Sequence, residues 1–365
     1  PYYKFSKNLT SIIEENSIGG SLGFSSTGSN TLKDTNNMRT TMANNLNYNS
    51  ETFISNYGFT NNYNLYFKNL NSIAKNDSVY TSNAQIDAMN ILDINTSLPL
   101  LKSSQSSKET LTPKVSLRIN PANNMNDYSG SSSTIDANTA FDINRLSISD
   151  DFEAGRSLTF GLDYKFEPLE NYQSKDTQDK YLELKFATVL RDQIETDIPI
   201  SSTINRKNSD LFFSIDNTLL ENINFNYNFS LDNDMKTINS NKIETEISIN
   251  NFITTFNYIE ERNEIGSSHL LSNITEYKFN DTSSLKFSTR RNKEINLTEY
   301  YDISYEYKND CLTAALRFNK TFYKDNDLVP TEDLFFTITL IPLTTYERAL
   351  YKKTPGQSGL KGWFR

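Results

Sequence analysis

The stretch INFNYNFSLD, residues 223–232, alternates strictly between large apolar and polar side chains. The apolar positions are Ile223, Phe225, Tyr227, Phe229 and Leu231, and each is followed by an asparagine, a serine or an aspartate. Because successive side chains of a β-strand point to opposite faces, this stretch predicts a strand with one apolar and one polar face. About ten alternating residues are enough for such a strand to cross a bilayer.

The same alternation recurs along the chain and is clearest in the second half. Further examples are SLTFGLDYKF at 157–166, KIETEISIN at 242–250 and LFFTITLIPL at 334–343. The pattern predicts strands at 2–12, 17–27, 40–54, 57–70, 84–98, 110–120, 158–167, 180–190, 209–218, 222–232, 242–249, 252–260, 270–279, 283–290, 297–307, 311–322 and 333–342. These are about seventeen strands.

The connections between these strands fall into two classes. Residues 121–157 and 191–208 are long and polar, whereas residues 280–282 and 308–310 are tight turns. Outer-membrane barrels combine short periplasmic turns with long extracellular loops. The sequence therefore predicts an all-β, antiparallel transmembrane β-barrel, with the long segments outside the cell and the tight turns in the periplasm. A large β-sandwich or a β-helix is the alternative that the pattern leaves open.

Composition and charge bear on partners and on domain organisation. The chain has 365 residues and a net charge of -9, which argues against a nucleic-acid partner. No apolar run approaches the ~20 residues of a membrane helix. The chain begins at Pro1 without a signal peptide, and the strand count is odd, so we expect the C-terminal portion of a longer barrel protein. Residues 1–343 would form the barrel, and 344–365 a basic periplasmic tail.

Residues that could support catalysis or bind a metal are sparse. His269 is the only histidine, and no serine in a nucleophile-elbow context accompanies it. Glu244 and Glu246 share one strand face, but carboxylates are expected on the wet face of any aqueous lumen. We therefore expect no enzyme activity, no metal site and no cofactor. Cys311, the only cysteine, is either a thiol that pairs outside this chain or a small, buried apolar residue on its strand.

Three blocks of the sequence resemble a known family. They are LTPKVSLRINP at 111–121, FDINRLSISDDFEAGRSLTFGLDY at 141–164 and NDCLTAALRFNKTFYKDNDLVPTEDLFFTITLIPL at 309–343. These blocks resemble the LPS-assembly outer-membrane protein family LptD, especially its alphaproteobacterial members. The resemblance implies a barrel of about 26 strands, of which the strands predicted here would be the last, behind a periplasmic β-jellyroll.

The resemblance also implies a function and a set of partners. The family moves lipopolysaccharide (LPS) through its periplasmic domain and releases it through a lateral seam between the first and last strands. The implied partners are LPS, the lipoprotein LptE, an LptA-like periplasmic bridge and outer-membrane lipid. Cys311 matches the family position that forms a disulfide with a cysteine near the N-terminus, which would lie outside this chain.

The function expected from the sequence is therefore an LPS translocon in the outer membrane of a Gram-negative bacterium. A mixture of charges marks the predicted wet face, and its cations are candidate lumen contacts for substrate. They are Arg118, Lys165, Lys185, Lys286 and Arg317. Two rivals stay open: a porin or TonB-dependent transporter barrel, and an extracellular β-rich adhesin.

Overall fold

The computed structural model describes residues 1–15, 19–33, 36–78, 80–121, 133–147, 152–169, 180–322, 330–340 and 344–353. Most of them belong to one antiparallel β-sheet. The strands are β1 (Tyr2–Asn8), β2 (Ser21–Lys33), β3 (Asn37–Asn49), β4 (Phe53–Ile54), β5 (Thr60–Lys75), β6 (Gln85–Ser97), β7 (Leu100–Ser103), β8 (Ser107–Asn120), β9 (Gly155–Pro168), β10 (Leu182–Arg191), β11 (Leu211–Asn217), β12 (Ile223–Leu231), β13 (Ile238–Ile249), β14 (Phe252–Glu261), β15 (His269–Asn280), β16 (Ser283–Asn292), β17 (Leu297–Lys308), β18 (Leu312–Thr321), β19 (Glu332–Leu340) and β20 (Thr344–Lys353).

Each strand pairs with its neighbours in sequence, so the sheet is an up-and-down meander. The short strand β4 pairs with β5 beyond the end of β3, and β7 pairs with β8 beyond the end of β6. Counting each of these as part of one bent strand, the twenty strands make eighteen passes. No pairing joins β1 to β20 within the described ranges, so the sheet is open in this structure.

The predicted fold class, an all-β antiparallel sheet, is confirmed, and each predicted strand overlaps a strand of the structure. The count of seventeen was too low, because β4, β7 and β20 were not predicted as separate strands. Eighteen passes is an even number, as expected of a single-chain bacterial barrel. That these strands are the last of a barrel of about 26 stays a prediction.

Two predicted boundaries differ from the structure for local reasons. The strand predicted at 2–12 ends at Asn8, whose side-chain Oδ1 accepts a hydrogen bond from the backbone N–H of Thr10 at 2.8 Å. This turn leads into a short helix, α1 (Thr10–Glu15). Residues 344–353, assigned to the tail by sequence, instead form β20 against β19. Residues 354–365 of the predicted tail lie outside the described residues.

The strand registers define two faces of the sheet. Leu162, Phe186, Phe213 and Phe229 are paired across β9 to β12 and form one apolar row near the middle of these strands. The rings of Phe213 and Phe229 stack at 4.8 Å. The neighbouring row on the opposite face is polar and consists of Asp163, Lys185, Ser214 and Asn228. We call the first the outer face and the second the inner face.

Most buried apolar residues of the strands lie on the inner face, where connecting segments fold back over the sheet. In the described part of the chain, no helix is long and apolar enough to cross a membrane.

The outer-face residues Phe160, Leu162 and Leu184 are 36 to 40% exposed, as expected of side chains that contact lipid. The apolar outer face and the covered inner face agree with the predicted alternation.

Candidate functional site

A long connection covers the inner face of β8 to β11. Residues 133–147 and 152–154, which we call the inward loop, lie between β8 and β9. Its apolar residues Ile135, Ala140 and Leu146 pack into a buried cluster with residues of β10, β11 and the 192–210 connection. The cluster's members outside the loop are Ala187, Val189, Ile198, Ile204 and Phe212. This part of the inner face is therefore covered by protein.

Four charged residues join the inward loop to the strands. The carboxylate of Glu153, in the loop, accepts hydrogen bonds from three guanidinium groups. Arg118 on β8 donates through Nη1 at 2.9 Å, Arg145 in the loop donates through Nε at 2.6 Å, and Arg191 on β10 donates through Nη2. All four side chains are only 1 to 3% exposed. We call this group the charged hub.

The arginines of the hub also bind backbone and hydroxyl groups around it. Arg118 donates to the carbonyl oxygen of Asp142, and Arg191 donates to that of Ala154 at 2.9 Å. Arg145 reaches Thr159 Oγ1 at 2.9 Å and Ser157 Oγ at 2.8 Å, both on β9. The hub therefore joins three neighbouring strands and the loop in one hydrogen-bonded unit.

A glycine makes room for the hub where β9 begins. Gly155 has a φ of +83°, a conformation that residues with a side chain rarely adopt. A Cβ at this position would collide with the carboxylate of Glu195 and lie 3.2 Å from Nη1 of Arg191. A substitution of Gly155 is therefore expected to disturb the strand entry and the hub together.

The electrostatics of the hub favour an ionised Glu153. Burial by itself would raise the pKa of this carboxyl, but Arg145, Arg191 and Arg118 outweigh burial and hold the pKa well below its usual range. Three guanidinium groups face one carboxylate, and within the described residues the buried Nε atoms of Arg118 and Arg191 have no hydrogen-bond partner. Glu153 is thus the carboxylate to which all three buried arginine side chains donate hydrogen bonds.

Aromatic side chains hold the loop at two further places. The ring of Phe152 lies against Tyr66 on β5, with ring centres 6.5 Å apart, and Lys68 Nζ lies 4.6 Å from its centre. Phe141 packs against Gly161 on β9, and Lys114 Nζ lies 4.3 Å from the Phe141 ring centre. The loop therefore contacts the inner face from β5 to β12 by several independent interactions.

The five predicted lumen cations all lie on the inner face by strand register, but they do not form one cluster. Arg118 belongs to the hub, and Lys185 Nζ donates to Asn138 Oδ1 in the inward loop at 3.0 Å. Lys165 pairs with Glu167 at 2.8 Å, and Arg317 pairs with Asp302 at 2.6 Å. Lys286 is exposed on β16. Contact of these residues with a substrate stays a prediction.

Cys311 is exposed in the turn between β17 and β18, where its backbone N–H donates to Asn309 Oδ1 at 3.1 Å. The alternative of a buried apolar residue is therefore wrong, while the disulfide stays a prediction.

The sequence did not identify Glu153, Arg145 and Arg191 as members of one group. The signal for Arg145 and Glu153 was the run of charged residues in DINRLSISDDFEAGR at 142–156, but sequence spacing does not reveal that Arg191 reaches the same carboxylate.

The described residues contain no group of histidine, cysteine and carboxylate side chains arranged to hold a metal ion.

A family model described as "LPS transport system D", LptD, matches residues 4–283. The chain belongs to the LptD family. The match includes two of the three blocks that carry the resemblance, and the third, at 309–343, lies beyond it. No curated protein matches the chain significantly.

Solved structures with similarity to this LptD-family chain include porins. A mutant of the Rh. blastica porin is 11% identical, with 88% of this chain and 95% of that chain covered and a TM-score of 0.32. A second mutant of the same porin has the same identity and coverage and a TM-score of 0.31. These values are too low to bear on function. Family membership supports a role in LPS transport at the bacterial outer membrane.

Proposed function

We propose that this chain is the barrel part of an LPS translocon, which inserts lipopolysaccharide into the outer leaflet through its lumen and a lateral seam. The observation that carries the proposal is the two-faced meander of an LptD-family chain, with a polar, charged inner face and an apolar outer face. The outer face would contact lipid, and the inner face would solvate the sugars and phosphates of the substrate. The translocation itself requires no covalent chemistry.

The inward loop would regulate this passage. It covers the inner face from β5 to β12, so a bulky glycolipid that passes along this face has to displace it. The charged hub sets the free energy of that displacement, because opening would separate Glu153 from three buried arginines. A closed loop would keep the lumen sealed when no substrate is present.

The remaining parts of the proposal follow from family membership. The partners would be LPS, a lipoprotein of the LptE type, a periplasmic LptA-like bridge and outer-membrane lipid, in a Gram-negative bacterium. The end of the sheet with the inward loop would face outward, and the turns around residues 281 and 310 would face the periplasm. Cys311, at that periplasmic end, would pair with a cysteine outside this chain.

Depletion of the protein in its own bacterium tests the function. We expect LPS at the surface of intact cells, measured by antibody binding, to fall while LPS accumulates inside, and the wild-type gene to restore it. Normal surface LPS combined with reduced uptake of small solutes would contradict the proposal and favour a porin or TonB-dependent transporter. Extraction of the protein by water without detergent would favour the adhesin.

A further inference from the structure

The 192–210 connection ends in a buried carboxylate, Asp210, directly before β11. Its side chain is 1% exposed and accepts hydrogen bonds at both oxygens. Arg206 Nη2, from the same connection, donates to Oδ1 at 3.0 Å, and Asn239 Nδ2, near the start of β13, donates to Oδ2 at 2.8 Å. Asp210 therefore fixes the end of the connection to a strand two positions away in the sheet.

Hydrogen bonds extend this anchor to both sides. Asn263 Nδ2, in the turn between β14 and β15, donates to Asn239 Oδ1 at 2.7 Å. On the other side, the N–H of Ser209 donates to the carbonyl oxygen of Val189 on β10 at 2.9 Å, and Ser209 Oγ accepts from the N–H of Val189 at 2.9 Å. None of these bonds involves the inward loop, so the end of the connection is anchored independently of it.

A turn within the connection has a backbone conformation that needs such support. Residues Ile200–Ser202 form a single 3-10 turn, and Thr203 after it has a φ of +61°. A β-branched residue rarely adopts this left-handed conformation. The backbone N–H of Asp210 donates to Thr203 Oγ1 at 3.1 Å, and Thr203 is 1% exposed. The buried end of the connection therefore holds this turn in place.

The inward loop contacts the connection at this turn. The N–H of Ser133 donates to Ser201 Oγ at 2.9 Å, and Ser201 Oγ donates to the carbonyl oxygen of Ser133 at 2.8 Å. Beside this pair, the fully buried Ile198 and Ile204 pack in the same cluster as the apolar residues of the loop. We call residues 198–204 the seat of the loop.

The two arms of the connection are also hydrogen-bonded to each other. The backbone N–H groups of Arg191 and Glu195 donate to the carbonyl oxygens of Lys207 and Asn205 at 2.7 and 2.9 Å. These bonds join only the end of β10 and the connection itself. Departure of the inward loop would expose side chains of the seat but leave the backbone around it in place.

We propose that Asp210 is a positioning residue, which holds the seat fixed while the inward loop opens and closes against it. Closure would then need no rearrangement of the 192–210 connection, since the partner of Ser133 and the apolar partners of the loop are already in place. This role rests on the proposed function only in assigning the closure to the control of LPS passage.

Hydrogen exchange in two variants tests the order of dependence. In Asp210→Asn, the amide accepts through one oxygen only, so either Arg206 or Asn239 loses its buried acceptor. Backbone amides of both the seat and the loop should then exchange about tenfold faster, while those of β16 and β17 keep wild-type rates. In Glu153→Gln, the loop amides should exchange faster and the seat amides should keep wild-type rates.

Asp302→Asn is the matched control. Asp302 on β17 also accepts from an arginine and an asparagine, Arg317 Nε at 2.6 Å and Asn319 Nδ2 at 3.1 Å. The variant therefore removes the same kind of acceptor at a place remote from the seat. Exchange of the seat and of the loop should stay at wild-type rates.

An engineered disulfide tests the same inference without altering Asp210. In a Cys311→Ser background, Ser133→Cys and Ser201→Cys place two thiols at the contact between the loop and the seat. If the seat is fixed, the oxidised protein should keep the slow loop exchange of the wild type even with Glu153→Gln. Reduction of the disulfide should restore the faster exchange.

Four results would overturn the inference. Equal acceleration of the seat and the loop in Glu153→Gln would show that they move as one unit. An effect of Asp210→Asn that is confined to the seat, or that extends equally to β16 and β17, would deny it a positioning role. Fast loop exchange in the oxidised protein with Glu153→Gln would show that the seat is mobile, and a disulfide that does not form would contradict the contact itself. No measurement involves LPS, so a failure here is distinguishable from a failure of the depletion experiment.

Discussion

Replacement of Glu153 by glutamine is the sharpest test of the charged hub. Glu153 and its three arginine partners are 1 to 3% exposed, so the variant leaves three buried guanidinium groups without their carboxylate. Removal of one partner from a buried ion pair typically costs about 3–5 kcal/mol. If this cost falls on the closed position of the loop, the open population rises by roughly two to four orders of magnitude.

Hydrogen exchange measured by mass spectrometry reports this equilibrium directly. Backbone bonds such as Ala140 N–H to Asp136 O at 3.0 Å and Ser147 N–H to Asn144 O at 3.0 Å form within the loop. Their amides should exchange faster in Glu153→Gln by the same factor, while amides of β15 to β17 keep wild-type rates. The matched control is Glu183→Gln, which removes a partly exposed pair with Lys185 and should change loop exchange by less than about 1 kcal/mol.

The pH dependence has a defined sign. The pKa of Glu153 is held below its usual range, so its stabilising contribution is fully present above the pKa of the unfolded carboxyl. It is lost only as pH falls through the depressed folded pKa. Slow exchange of the loop should therefore persist to moderately acidic pH in the wild type. Equal exchange in Glu153→Gln and Glu183→Gln would refute the role assigned to the hub.

Three further predictions concern the membrane and the periplasmic end. Phe225→Arg on the outer face should destabilise the protein in bilayers by roughly 2–4 kcal/mol if the residue lies near the midplane, as measured by heat-modifiable mobility. Asn226→Arg on the inner face is the control and should destabilise the protein less. Equal destabilisation by the two variants would contradict the assignment of Phe225 to the lipid-contacting face. Tags in residues 133–147 should be accessible on intact cells and tags in the 308–310 turn should not, and reversed labelling would overturn the topology. Cys311→Ser should abolish a mobility shift of the full-length protein on non-reducing electrophoresis, and identical mobility of both proteins would exclude the disulfide.

The alternation of apolar and polar residues was sufficient to predict most of the fold. It is strict in β9 and β12, where apolar residues alternate with polar residues or glycine along the strand. It fails in β20, TTYERALYKK, because charged residues Glu347 and Arg348 are adjacent and therefore occupy both faces. It also missed β7, since four residues are too few to show a period of two.

The site was less predictable than the fold. The sequence predicted that Arg118 points to the inner face, because the alternation of its neighbours along β8 determines the side on which each residue lies. It did not identify the hub, since Arg118, Glu153 and Arg191 come from three separate segments. Their meeting depends on the path of the β8–β9 connection over the sheet, and that path leaves no periodic pattern.

The meander also has a consequence for how the protein folds. Because every strand pairs with its neighbour in sequence, the sheet can be assembled hairpin by hairpin, with little chain entropy lost at most turns. The longest exception is the 34-residue connection between β8 and β9, whose closure costs about 2 kcal/mol more than that of a three-residue turn. The buried ion pairs of Glu153 lie at the end of this connection, where they offset that penalty. Folding past β9 is therefore expected to slow when Glu153 is removed, and the hairpins after β11 should form at an unchanged rate.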